Sequence, residues 1–399
     1  MINNVYVRSY QQIMRVGMKV LKFPIPIVLQ GENKLLDLPV FLKNKGIKRT
    51  LIVTDQGITS IGLLHAFLEK LDEQQVFYAI FDETVPNPTI QNIEDAYAMY
   101  TKYDCQSIIA VGGGSPMDCA KGVGARVVQP NKSIQQMKGL FRVLKKLPPL
   151  FAVPTTAGTG SEVTVAAVIS NPETHEKYPL YDPVLIPHYA VLDPLLTVGL
   201  PKHITSTTGM DALTHAVEAY IGHSNTKETK EWAREAVQLI YKDLYTAYRE
   251  PTNIEARTNM QRAAYVAGLA FTRAYVGNIH AIAHTLGGFY NVPHGLANAI
   301  IMPHVLEHYG EAVHKPLAEL ADLIGLAQGE SVQVRSDAFI AWIREMNEKM
   351  DIPTKVEGIQ TKDIPIMAKR ALAEANPLYP VPKVFDLKEM AFMYMKIKA

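Results

Sequence analysis

The chain has 399 residues, 48% of them hydrophobic and 20% charged, and a formal net charge of +1. That length exceeds one ordinary core and predicts two domains, and the composition excludes a disordered chain. Near-neutral charge gives no electrostatic reason for nucleic acid or an anionic membrane as partner.

The N-terminus, MINNVYVRSYQQIMRVGMKVL, lacks the apolar run and cleavage site of a signal peptide. No stretch approaches the roughly 20 apolar residues of a membrane span. Two cysteines, Cys105 and Cys119, offer no disulfide framework and read as small buried residues, so the expected compartment is the reducing cytoplasm.

In chain order, LIVTD at 51–55 is a short β-branched run that reads as a buried parallel strand. Gly57 to Leu71 has helical spacing, with Ile61, Leu64, Leu68 and Leu71 on one side. VFYAIF at 76–81 reads as a second strand, VPNPT at 85–89 as a loop and 90–103 as a helix. SIIAV at 107–111 reads as a third strand running into GGGSPMDCAKG, and PLFAV at 149–153 as a fourth running into PTTAGTGSE. Strands alternating with helices predict a parallel sheet with flanking helices.

Two of the loops have the chemistry of a nucleotide site. Gly112, Gly113 and Gly114 allow close backbone approach of a phosphate, and Ser115 and Pro116 open a helix whose free N–H groups bind anions. Alone, this sequence fits a tight structural turn equally well; it is neither G-x-G-x-x-G nor a P-loop. In the second loop Thr155, Thr156, Thr159 and Ser161 surround two glycines. Two such loops after neighbouring strands favour a nucleotide at the carboxyl ends of the sheet. Asp55, ending an early strand, suits the ribose hydroxyls and disfavours a 2′-phosphate, which predicts NAD over NADP; a helix N-cap is its structural alternative.

After Pro183, Pro187, Pro194 and Pro201 the pattern turns helical, with predicted helices over 227–249, 254–273, 315–326, 331–350 and 384–398. The domain boundary is expected near Leu200. Nine of the twelve histidines lie from His203 to His314. In GMDALTHAVEAY, 209–220, Asp211 and His215 share a helix face. In VGNIHAIAHTLGGFYNVPHG, 276–295, His280 and His284 share another, while Gly287, Gly288, Asn291 and Pro293 place His294 on a separate element. No Lys, Arg, Asp or Glu occurs from Tyr275 to Leu306. A carboxylate with several imidazoles suits zinc or Fe(II) and leaves a position for a substrate oxygen. Spacing does not say which of His280 and His284 is a ligand. His203, His223, His304 and His308 read as structural or exposed.

With GGGSPMDCAKG, PTTAGTGSE, GMDALTHAVEAY and GNIHAIAHTLGGFYNVPHG in this order, the chain resembles the iron-dependent (group III) alcohol dehydrogenases, which include lactaldehyde reductases and propanediol dehydrogenases. The likeness runs from about Phe23 to near the C-terminus; the first twenty or so residues depart from it. It implies a Rossmann-like α/β domain at 1–199 and an all-helical metal-binding and catalytic domain at 200–399, an architecture shared with dehydroquinate synthase. It also implies metal ligation by Asp211, His215, His280 and His294, with His284 beside the nicotinamide and substrate as the catalytic histidine. For NAD it implies Asp55, Asn87, Gly112, Gly113, Gly114, Ser115, Asp118, Thr155, Thr156, Thr159 and Lys177, and for the assembly a homodimer or larger homo-oligomer.

The activity this predicts is reversible hydride transfer between NAD(H) and a small primary alcohol, or diol, and its aldehyde, on Fe(II) or zinc. Phe271, nine residues before His280, is a candidate for the substrate pocket, and Ala166 and Ala167 leave room for a longer chain. The alternatives are a dehydroquinate synthase-like lyase, glycerol dehydrogenase-like polyol oxidation, and a silent NAD- and metal-binding module. A lyase acting on a phosphorylated sugar needs basic residues that the run from Tyr275 to Leu306 lacks.

Overall fold

The computed structural model describes residues 4–20, 23–171 and 176–399. The chain divides into two compact units, one of residues 23–199 and one of residues 200–399 together with the N-terminal segment. The N-terminal helix α1 (Asn4–Val20) thus packs with the helical unit, not with the α/β unit that chain order suggests.

In the unit of residues 23–199 the strands are β1 (Ile27–Gln30), β2 (Arg49–Val53), β3 (Phe77–Phe81), β4 (Ser107–Gly112), β5 (Gly139–Leu140), β6 (Leu150–Pro154), β7 (Ala166–Asn171), β8 (Glu176–Tyr181) and β9 (Tyr189–Leu192). Six of them form a wholly parallel sheet in the order β1-β9-β6-β4-β2-β3. Its helices are α2 (Lys34–Asn44), α3 (Gln56–Ser60), α4 (His65–Glu73), α5 (Ile90–Lys102) and α6 (Gly114–Val128).

Alternate side chains of the central strands supply two cores, one on each face. Leu51, Val53, Ile108 and Ala110 pack with Ile93, Met117 and Ala120 of α5 and α6. Ile52, Ile109, Val111 and Phe151 pack with Leu38 and Leu42 of α2 and Phe67 and Leu71 of α4. Strands buried on both faces need continuous apolar runs, which is why LIV and SIIAV lack the polar alternation of a half-exposed strand.

The structure differs from the sequence reading in three places here. The helix expected from Gly57 to Leu71 is broken at Gly62, whose φ of +70° glycine adopts without steric cost. The break leaves Ile61 69% exposed instead of beside Leu64 and Leu71. Gly114, and not Ser115, opens α6, so Pro116 stands third in it. The edge strand β1, the strand β9 and a small sheet of order β5-β8-β7 were not among the strands read from the sequence; β1, β5 and β9 are only two to four residues long, and β8 carries Pro179.

The helical unit contains α7 (Lys202–Ile221), α8 (Lys227–Arg249), α9 (Ile254–Ala274), α10 (Asn278–Tyr290), α11 (His294–Tyr309), α12 (Glu311–Leu323), α13 (Val332–Lys349), α14 (Ile364–Ala375) and α15 (Leu387–Ile397). From Gly209 to Ile221 every residue of α7 is buried, so this helix runs through the middle of the unit. It packs against α8, α9 and α11. Helix α10 continues through Gly287 and Gly288 and ends at Asn291, whose φ of 52° places it in the left-handed cap conformation. His294 then opens α11. Helix α1 is tied to the segment after α14. Arg8 donates to the carbonyls of Val381 and Pro382 at 2.7 and 2.9 Å, and Gln11 donates to that of Tyr379 at 2.6 Å. No helix among the described residues is long and apolar enough to cross a membrane.

Candidate functional site

Four side chains from three helices converge in the helical unit. Asp211 and His215 come from α7, His280 from α10 and His294 from α11. One ligand-capable atom from each lies within 4.8 Å of all the others. Asp211, His215 and His280 are 1%, 4% and 2% exposed, so all three are buried. His280 Nε2 and His294 Nε2 lie 4.0 and 3.5 Å from Asp211 Oδ1. His215 stacks between Phe271 and His280, with ring centroids 4.1 and 4.5 Å away. Phe271 therefore borders this cluster. His284 is not one of the converging four; its ring lies parallel to His294 at 5.1 Å.

The surroundings of the cluster favour a cation. Burial and the neighbouring imidazoles hold the His280 pKa well below its ordinary value, so the ring is neutral, the form that ligates metal. Its Nδ1 lies 2.6 Å from Glu218 Oε2, which puts the ring proton there and frees Nε2. Glu218 also accepts the N–H groups of Gly277 and Ile279, each at 2.8 Å. Burial pushes its pKa up to about 8, against the pull of these bonds. Asn298 Nδ2 sits 2.7 Å from Asp211 Oδ1 and 3.2 Å from both His280 Nε2 and His294 Nε2. An amide nitrogen carries only two protons, and three polar atoms crowd against it. A divalent ion accepts lone pairs from all of them, so the donor set fits such a metal.

The close approach of α7 and α11 depends on Gly295. A Cβ there would lie 2.3 Å from the Thr207 carbonyl oxygen and 3.3 Å from Asp211 Cβ. Backbone offers no rotamer by which to yield. Gly295→Ala is therefore expected to displace α11, separate His294 from Asp211 and lose the bound metal, besides the roughly 1–3 kcal/mol that overpacking costs. Elemental analysis per subunit beside thermal unfolding checks this, and wild-type metal content would refute it.

The two loops of the α/β unit also come together. Thr155 N–H donates to the Gly112 carbonyl at 3.0 Å. A Cβ on Gly113 would meet Thr156 Oγ1 at 3.4 Å, and one on Gly114 would meet Thr159 Cγ2 at 3.1 Å. The glycines thus keep the start of α6 open beside the threonines, and no side chain caps that helix. Asn87, with φ 59°, donates its N–H to Ser115 Oγ at 3.1 Å. This glycine and threonine cradle at a helix N-terminus fits a pyrophosphate.

Asp55 follows β2, and its Oδ1 caps α3 by accepting the Ile58 N–H at 3.1 Å. The cap uses one oxygen, which leaves Oδ2 for a ribose; the two roles are compatible. Asp118 differs in kind. Its oxygens accept Ser161 Oγ and Val168 N–H, each at 3.0 Å, so it shapes the second loop from beneath. Lys121, fully buried, does the same through Ser161 Oγ and the Thr164 hydroxyl at 2.9 and 2.8 Å. Burial draws its pKa down to about 8 and pushes that of Glu162 up to about 7. Lys177 stands on β8, and burial lowers its pKa.

Sequence reasoning missed Glu218, Asn298 and Glu374. Glu218 lies three residues after His215 and Asn298 four after His294, so helical spacing held a signal for both. Glu374, whose Oε1 is 2.6 Å from His284 Nδ1, comes from ninety residues away and had none.

The chain is similar to known proteins over most of its length. Residues 26–194 match the iron-containing alcohol dehydrogenase model, and residues 205–397 match the C-terminal model of the Fe-containing alcohol dehydrogenase family. The chain is 39% identical over 354 residues to 1,3-propanediol dehydrogenase of Klebsiella pneumoniae, covering 88% of this chain and 91% of that protein. It is 33% identical over 335 residues to lactaldehyde reductase of Escherichia coli, covering 83% and 87%. A crystal structure of 1,3-propanediol oxidoreductase superposes with a TM-score of 0.90 at 36% identity, over 95% of this chain and all (100%) of that one. Sulfoacetaldehyde reductase of Bifidobacterium kashiwanohense, solved with NAD+, superposes at 0.85 with 26% identity, over 95% and 99%. With both its α/β and helical parts matched, and relatives this similar over most of their length, the chain belongs to the iron-containing alcohol dehydrogenase family.

Proposed function

We propose that this enzyme interconverts a small primary alcohol or diol and its aldehyde with NAD(H), using a divalent metal held by Asp211, His215, His280 and His294. The observation that carries the reading is the buried convergence of one carboxylate and three imidazoles. When bound, the metal supplies Lewis acidity toward the substrate oxygen and the nicotinamide supplies hydride chemistry. Fe(II) and zinc both suit the donor set. Relatives named for propanediol and lactaldehyde support a short, hydroxylated substrate.

The chain's own residues do the rest. Glu218 keeps the His280 ring in one tautomer with Nε2 directed at the ion. Phe271 stacks on His215 and gives the cluster an apolar border that suits a short carbon chain. His284, beside His294 and outside the ligand set, handles the proton that leaves or reaches the substrate oxygen. Gly112, Gly113, Gly114 and Ser115 at the start of α6 bind the pyrophosphate, with Asn87 bracing Ser115. Thr155, Thr156 and Thr159 supply hydroxyls, and Lys177 a positive charge, to the same cofactor. Asp118 acts on this site indirectly, through the second loop. A cytoplasmic location, favoured by two buried free cysteines, and self-association, as the resemblance implies, complete the reading.

Oxidation of NADH and NADPH with a panel of short aldehydes, on protein reconstituted with Fe(II) or zinc, tests the function; no turnover with any aldehyde in either form would refute it. The same assay tests Asp55. Wild type should prefer NADH at least tenfold, which needs only about 1.4 kcal/mol of repulsion against a 2′-phosphate. Asp55→Ser should relax the preference while keeping an oxygen to cap α3. Equal use of both cofactors by wild type would leave Asp55 with the cap alone.

A further inference from the structure

His284 is held by a chain of hydrogen bonds that starts at the N-terminal helix. Gln11 Nε2 donates to the Tyr379 carbonyl at 2.6 Å, and Tyr379 N–H donates to the Ala375 carbonyl at 2.8 Å. The Tyr379 ring is 2% exposed, and its hydroxyl donates to Glu374 Oε1 at 2.9 Å. That same oxygen lies 2.6 Å from His284 Nδ1. The neighbouring carbonyls are held as well, Pro380 by His223 N–H at 2.7 Å and Val381 and Pro382 by Arg8. The strap 379–382 therefore has little freedom, and Tyr379 passes that rigidity to Glu374.

A carboxylate at Nδ1 decides two things about an imidazole. It keeps the proton on Nδ1, so Nε2 presents its lone pair, and it stops rotation of the ring. His284 is only partly buried, at 30% side-chain exposure, and packing alone leaves both open. We propose that Glu374 is a positioning residue for this reaction: braced by Tyr379, it sets the tautomer and ring orientation of His284 without touching substrate. This rests on the reading of His284 as the proton-handling group.

A double-mutant cycle on the full-length, metal-loaded enzyme tests it, with propanal and NADH as substrates and metal per subunit measured in every variant. Glu374→Ala should lower kcat roughly 100-fold, the scale of a misplaced catalytic group, with KM for propanal and metal content near wild type. Glu374→Gln, whose amide oxygen still accepts from Nδ1–H, should recover most of the loss. Tyr379→Phe, which removes a single hydroxyl and leaves the packing intact, should cost a few-fold. In a His284→Ala background Glu374→Ala should have no further effect, because its whole contribution runs through that ring. Additive losses, a Gln variant as slow as the Ala variant, or wild-type kcat in Glu374→Ala would each overturn the proposal. The cycle also separates two failures. Wild-type kcat in His284→Ala sinks the reading of His284 and this proposal with it. A slow His284→Ala beside a fast Glu374→Ala sinks the proposal alone.

Discussion

His280→Ala is expected to purify without metal and without turnover, the two lost together. His280 is 2% exposed and contributes one of four converging ligand atoms, so no water-filled space replaces it cheaply. Its loss leaves Glu218, with burial already pushing its pKa up to about 8, facing a void in place of an N–H donor. A graded partner experiment is Glu218→Ala. Loss of a ligand's hydrogen-bond partner costs about 10–100-fold in metal affinity, and loss of the ligand itself should exceed that. Chelator titration of wild type and both variants, with metal per subunit and NADH oxidation read on the same samples, gives the order. Full activity in a chelator-stripped sample, or a His280→Ala protein that binds metal as tightly as wild type, would end the proposed mechanism.

His284→Ala should behave in the opposite way, keeping its metal and losing its rate. The ring stands one helical turn from His280, yet its Nδ1 goes to Glu374 and its face to His294 at 5.1 Å. Removing a general acid–base group costs roughly 10²–10⁴ in turnover, while a lost ligand lowers occupancy first. Metal content near wild type with kcat reduced by that factor is the expected result. A variant that purifies metal-free under conditions where wild type is loaded would make His284 a ligand and overturn the four-residue assignment.

The cofactor half of the site was the more legible from sequence. Phosphate loops sit in consecutive residues after a strand, so GGGS and PTTAGTG carry their chemistry and their geometry together. Even there the motif did not show that the oxygens of Asp118, an expected NAD-binding position, also accept hydrogen bonds from Ser161 and Val168. Adjacency in a motif does not say whether a side chain faces the ligand or the scaffold beneath it.

The chain by itself determined the alternation of strand and helix for four of the sheet's six strands, the change to helices after the prolines, and the residue types able to hold a metal. These follow from periodicity and local chemistry, which short windows of sequence contain. Tertiary structure decided which histidines meet. His280 and His284 have the same spacing, charge and apolar surroundings in sequence. They part because the fold brings a nitrogen of His280 into the group with Asp211, His215 and His294, while His284 stands outside it with its Nδ1 held by Glu374 from α14. Helix α1 joins a unit that begins near residue 200. The pairing of β1 with β9 and of β5 with β8 joins segments tens of residues or more apart in the chain. A hydrogen-bond partner acts through distance in space, and chain separation places no limit on it.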